Sequence, residues 1–274
     1  MTCKLIKYEF RSMLRLMGIL WVGLPATAMV MACFNRFFSY DGLGEYPAVL
    51  HLLDNLISFL YIALFMALIG ATVMVIILRF YRGLLRDEGY LMHTLPVKTW
   101  QLITAKGVTA VCVSIISMAV AVVSILLISM FNIGLVYAGD FFRYTGEVIA
   151  ERPLLVVIVL ECILLGVSWL MAVIYKIYAS MSIGQLAAKH KIALSVAAHI
   201  GISIAGVLLL SFLGDVVFDA FSGVLDSVDR WLSGIGPDGS ATFSLLVVIL
   251  VEATQVAVYH VVSEQLLRRK LNLE

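Results

Sequence analysis

Six stretches of this 274-residue chain run for about twenty residues without a lysine or arginine: 16–34, 56–78, 108–130, 154–174, 192–213 and 242–262. A helix rises 1.5 Å per residue, so about 20 apolar residues cross the roughly 30 Å hydrocarbon core of a bilayer. The stretches are largely apolar and do not alternate, which excludes barrel strands. Composition agrees, with 62% hydrophobic and 14% charged residues, where soluble domains carry about 25% charged. The expected fold is an all-α integral membrane protein with six transmembrane helices, residues 1–274 forming one membrane domain.

Basic residues set the expected orientation. Of the 19 lysines and arginines, all but Arg36, Arg143, Arg152 and Arg230 lie before span one, between spans two and three, between four and five, or after span six. Cytoplasmic segments carry the excess of Lys and Arg, so both termini are expected in the cytoplasm. Span one has a basic start like a signal peptide, yet five further spans follow it, and it is read as uncleaved. The net charge of +1 gives no polyelectrolyte signal, so no nucleic-acid partner is expected. Cys3, Cys33, Cys112 and Cys162 form no CxxC pair and are expected as free thiols. The five histidines show no HExxH spacing, so no metal site is expected.

Residues 4–17 have the pattern of an interfacial helix. Ile6, Phe10, Met13 and Met17 share one face, and Lys4, Lys7, Arg11 and Arg15 the other. Such a helix lies in the headgroup plane, with its cations near anionic lipid. The outer loop after span three, 131–153, carries aromatics that suit an interfacial belt. Between spans five and six, Phe218, Phe221, Leu225, Val228 and Leu232 recur every three or four residues amid five aspartates. That predicts a short amphipathic helix on, or dipping into, the outer leaflet, ended by the Gly234–Gly239 turn.

Two acids fall within spans: Glu161 in span four and Glu252 in span six, with Gln255 one turn beyond the latter. A charge at the centre of an isolated span costs at least about 2.5–3.5 kcal/mol on insertion scales. Each acid is therefore expected to be protonated, bonded to a neighbouring helix, or facing a wet cavity. They are candidate pathway residues with Gln255, or else structural carboxyls. In span five Ala193, Ala197, Gly201 and Ala205 recur every four residues, a stripe that lets another helix approach closely.

No GxxxxGK[ST] loop, GxGxxG turn or GxSxG elbow occurs. The chain is not expected to be an enzyme, and it binds no cofactor of its own on this reading. Between spans two and three lies RFYRGLLRDEGYLMHTLPVKTWQLITAKG, residues 79–107. Arg79, Arg82 and Arg86 predict that span two continues as a basic helix. Asp87-Glu88-Gly89 can end it, and Thr99 is placed to start the helix into span three. Tyr90, Leu91, Met92 and Leu95 are apolar for a free loop. The segment either packs on its own helix ends or docks a soluble partner.

Six spans, the amphipathic start, Glu88-Gly89-Tyr90-Leu91 and Thr94-Leu95-Pro96-Val97 together resemble the permease subunit of a type-2 ATP-binding-cassette (ABC) exporter of Gram-positive bacteria. That resemblance implies a plasma-membrane protein whose loop forms a cytoplasmic coupling helix. The coupling residues would be Arg86, Asp87, Glu88, Tyr90, Met92 and His93. It further implies two copies of a separate ATPase subunit holding ATP and Mg, a second permease, identical or homologous, and a hydrophobic or amphipathic cargo such as a peptide. The outer segment before span six resembles that family's re-entrant element. The competing readings are a proton-coupled secondary transporter using Glu252, and a non-transporting sensor or immunity protein.

Overall fold

A computed structural model describes residues 2–38, 48–85, 98–133, 135–187 and 189–269. The described residues form seven α-helices: α1 (Thr2–Phe38), α2 (Ala48–Phe80), α3 (Thr99–Ile133), α4 (Leu135–Glu151), α5 (Leu154–Gly184), α6 (Lys191–Gly234) and α7 (Gly236–Arg269). A π-helical turn, Tyr81–Leu85, prolongs α2. Six helices are long and apolar enough to cross a membrane; α4 is the exception.

Several helices outrun the bilayer. The 44 residues of α6 span roughly 66 Å, about twice the hydrocarbon thickness. Here the structure corrects the sequence reading, because the segment after span five is neither a separate surface helix nor a re-entrant one. It continues α6 without a break as far as Gly234. The only breaker near the expected junction is Gly214, and one glycine costs a helix about 1 kcal/mol. The turn does come where expected. Gly236 adopts φ +79°, and Trp231 meets Phe243 edge to face at 5.6 Å across it.

The interfacial helix is likewise no separate element but the first four turns of α1. No glycine or proline separates Arg15 from span one, so nothing stops the helix. Its two faces are as expected, with Met13 and Met17 buried and Lys7, Arg11 and Arg15 exposed. The loop after span three is mostly helix α4. An exposed ion pair, Arg143 Nε to Glu147 Oε1 at 3.7 Å, spans one of its turns.

By contacts the chain divides into two compact units, residues 1–76 with 108–148 and residues 77–107 with 149–274. In the first, α1, α2 and α3 share a core of Met13, Met17, Val75 and Val113, flanked by Phe10, Trp21 and Ala71. Polar bonds tie these helices together. The Ser117 hydroxyl accepts from Trp21 Nε1 and from Thr72 Oγ1, both at 3.0 Å, and Tyr61 bonds Ser124 at 3.0 Å. In lipid the hydrophobic effect does not drive helices together, so such bonds, about 0.6 kcal/mol each, matter beside close packing.

In the second unit α5 is the hub. Its less exposed positions, Ile158, Glu161, Leu165, Ser168, Ala172, Tyr175, Ala179 and Ser182, alternate in steps of three and four. Those of α7, from Leu245 through Ile249, Glu252 and Val256 to His260, Ser263 and Leu267, follow a similar rhythm. That spacing is the seam of a coiled-coil-like pair, and α5 packs chiefly on α7. Against α6, α5 forms an antiparallel hairpin with a rung every four residues: Gly184 against Ser195, Ser180 Oγ to His199 Nδ1 at 3.4 Å, and Lys176 Nζ to Ser203 Oγ at 3.2 Å.

Gly184 fixes how closely this hairpin can close. A methyl group there would stand 2.7 Å from the Lys191 carbonyl oxygen and would overlap Ser195 Oγ. Gly184→Ala is therefore expected to lose about 1–3 kcal/mol by overpacking. Gly201→Ala, where nothing lies within 4 Å, is expected to leave stability unchanged or slightly raised. Thermal unfolding of both variants in detergent tests this ranking, and equal melting temperatures would contradict the hairpin contact.

Candidate functional site

The helix ends that charge counting assigns to one side of the membrane converge in the second unit. The end of α2, the start of α3 and the end of α5 meet around Tyr178. The ring of Tyr178 stacks on Phe80 at 4.0 Å and 12°. Its hydroxyl donates to the carbonyl oxygen of Lys106 at 3.3 Å. Lys106 in turn donates from Nζ to the carbonyl oxygen of Arg79 at 3.2 Å. Three helices are thus linked through one residue of α5, and Phe80, Lys106 and Tyr178 are all at most 2% exposed.

Local sequence explains why the chain folds this way. The ammonium of Lys106 enters beside the π turn because residue 83 is glycine: a methyl group there would lie 2.5 Å from Nζ. π turns are rare and concentrate at functional positions. One residue beyond Lys106, Gly107 lets α3 lie directly on Tyr175, whose ring carbon Cζ would be 2.6 Å from an added methyl. Tyr175 then meets Tyr178 edge-on at 5.9 Å and His260 of α7 at 5.4 Å. The start of α3 is bracketed by Lys98, whose N–H donates to Gln101 Oε1 at 3.2 Å while its carbonyl accepts from Gln101 N–H at 2.9 Å. This agrees with the helix start expected at Thr99.

The expected coupling residues Arg86, Asp87, Glu88, Tyr90, Met92 and His93 lie outside the described residues. Their flanks are described and anchored. Leu84 and Leu85 before the segment, and Leu102 and Ile103 after it, are buried. Of the candidate pathway residues, Glu161 is 5% exposed, and its Oε2 has no hydrogen-bond partner. Glu252 and Gln255 are half-buried on α7. No hydrogen bond joins the two acids among the described residues. Ala197, Gly201 and Ala205 are exposed, so the small-residue stripe is not used by another helix of the described chain.

Two cations were misplaced by sequence reading. Lys106 and Lys176 count as loop residues between apolar runs, but they lie within α3 and α5. The buried Lys106 was therefore missed, together with Phe80, Tyr175 and Tyr178. A signal existed in Gly83 and Gly107, glycines near a lysine at the two flanks of one loop, and in tyrosines three residues apart on α5. Set against known protein families, curated proteins and solved structures, the chain matches none.

The clamp is expected to behave as one unit. Tyr178→Phe removes one buried hydrogen bond and should cost about 0.5–1.5 kcal/mol. A double-mutant cycle of Phe80→Leu and Tyr178→Leu should return a coupling of about 0.5–1.5 kcal/mol beyond area burial. Additive single effects in unfolding titrations would show that the stacked pair does not hold the helix ends together.

Proposed function

We propose that the chain is the membrane-spanning permease subunit of an ATP-binding-cassette exporter, seated in the plasma membrane of a Gram-positive bacterium. Its cargo would be hydrophobic or amphipathic, a peptide by preference. The observation that carries this reading is the Phe80–Lys106–Tyr178 clamp. It holds both flanks of the 86–97 segment and joins them to α5, which packs on α7 and carries Glu161. A force applied to the segment by a partner ATPase would therefore reach the α5–α7 seam through buried contacts rather than dissipate in a loose loop. The chain's own sequence contains no phosphate-binding loop, so the energy would come from ATP bound, with Mg, on two partner subunits. Work by ATP requires two helix arrangements with different affinity for the driven partner. A second permease, identical or homologous, would complete the pathway, its interface including the exposed stripe of Ala197, Gly201 and Ala205.

One observation favours a second reading, proton-coupled transport. A buried carboxyl oxygen of Glu161 without a partner suits a group that takes up and releases a proton. In that reading the acid of α5 joins Glu252 as a proton site, and no ATPase is needed.

Copurification separates the two. The tagged chain is expected to bring down an ABC ATPase subunit from its own cells, and Glu88→Ala with Tyr90→Ala should reduce that recovery at least about tenfold, a loss of 1.4 kcal/mol or more. Transport that persists without any ATPase and collapses with the proton gradient would sink the exporter reading. Recovery of no ATPase together with no transport would favour a sensor or immunity role.

A further inference from the structure

In the second unit, the start of α3 and the end of α7 border a cavity of about 450 Å³ whose described lining residues are Lys98, Thr99, Trp100, Glu264 and Arg268. Its size is that of a small-ligand site. Its lining combines two cations, one carboxylate, a hydroxyl and an indole. Neither the Lys98 ammonium nor the Arg268 guanidinium makes an ion pair among the described residues. With Glu264 offsetting one of the two cations, the described lining keeps one net positive charge and favours an anion.

The depth of the cavity narrows the choice of anion. Lys98, Thr99 and Trp100 stand eight to ten residues before the apolar run that begins at 108, and Glu264 and Arg268 stand two and six residues after the run that ends at 262. The helices that carry them, Thr99–Phe131 and Gly236–Arg268, are 33 residues each, roughly 50 Å and close to the full thickness of a bilayer with its headgroups, which sets both walls at the headgroup edge. Trp100 is partly exposed there, as interfacial tryptophans are. At this level the abundant anion is a lipid phosphate, which a soluble anion must displace.

We propose that this cavity binds the headgroup of an anionic phospholipid. Lys98 and Arg268 hold the phosphodiester, and the Thr99 hydroxyl donates to it at the opening of α3. Glu264 accepts from a headgroup hydroxyl, and Trp100 lies along the glycerol and upper acyl chain. Charge selects among headgroups. Among the described lining residues the two cations and the carboxylate sum to one positive charge, which a phosphatidylglycerol neutralises while its glycerol hydroxyls satisfy Glu264. A phosphatidylethanolamine, carrying its own ammonium, leaves that charge uncompensated. The proposal stands whether or not the chain transports anything.

Native mass spectrometry of the full chain in detergent, with phosphatidylglycerol or phosphatidylcholine added, reads the binding directly. The unaltered protein is expected to retain phosphatidylglycerol in preference, more weakly as salt is raised. Lys98→Ala with Arg268→Ala is expected to bind it on the order of tenfold more weakly or worse, since each cation near an anionic surface contributes substantially. Glycerol 3-phosphate at millimolar concentration is expected not to compete. Equal retention of the two lipids by the unaltered protein, or unchanged binding by the double variant, overturns the proposal. Effective competition by glycerol 3-phosphate overturns the lipid assignment in favour of a soluble phosphate. If the double variant does not fold, dibrominated phosphatidylglycerol is added to the native chain and to Trp100→Phe. The native chain should lose a component of fluorescence that the variant lacks, and identical quenching of both refutes a lipid at this cavity.

Discussion

A chain inside hydrocarbon has no water to hydrogen-bond its backbone, and an unmatched N–H or C=O there costs several kcal/mol. Everything else in this protein follows from that constraint. It explains why each apolar run is unbroken helix; outside the runs, α6 passes Gly214 because one glycine costs only about 1 kcal/mol, and α1 meets no breaker between its basic turns and its first span. Once a segment is apolar enough to enter the bilayer, leaving the helix frees backbone groups that nothing nearby can satisfy. Past the core, where water can satisfy the backbone, the helices still run on until a residue with a special backbone geometry, such as Gly236 at φ +79° or His190 at φ 60°, turns the chain.

The second consequence concerns packing. Lipid tails are as apolar as leucine, so apolar side chains alone give helices no reason to associate. Contacts here form instead where backbones approach closely or polar groups meet. Gly83, Gly107 and Gly184 are such close approaches, and the Ser117, Ser180, Ser203 and Tyr178 hydroxyls are such meetings. Burial is graded accordingly. The first half of α5 is mostly exposed, with Glu161 its one buried residue, whereas eight of its last twelve residues are buried and the other four half-buried. The tightest packing in the second unit thus sits around the loop flanks and not at mid-span.

Much of this was legible in the sequence, because hydropathy is a strong signal. The six apolar runs correspond to the six long helices, and Thr99 opens α3 as the turn chemistry implies. Helix ends were less legible. Sequence marks a span by where it stops being apolar, but a helix stops only where its backbone must turn. Hence Lys106 and Lys176 were assigned to loops while the helices continued through them. The clamp was invisible for a related reason. Phe80, Lys106 and Tyr178 are joined by packing between helices distant in sequence, and no local period encodes that. Glu161 was recognisable as a buried acid, and the structure adds that one of its oxygens has no partner.

The buried lysine at the clamp bears on how rigid that region can be. An ammonium 2% exposed is tolerable only while acceptors surround it, and leaving a buried charge unmatched costs more than forming it gains. Any motion that parts α2 from α3 would take Nζ of Lys106 away from the Arg79 carbonyl. The two flanks of the 86–97 segment are therefore easier to move together than apart, and Tyr178, bonded to one and stacked on the other, moves with them. On the proposed exporter reading, a push at the loop would displace the two helix ends as one body, with α5 attached to them.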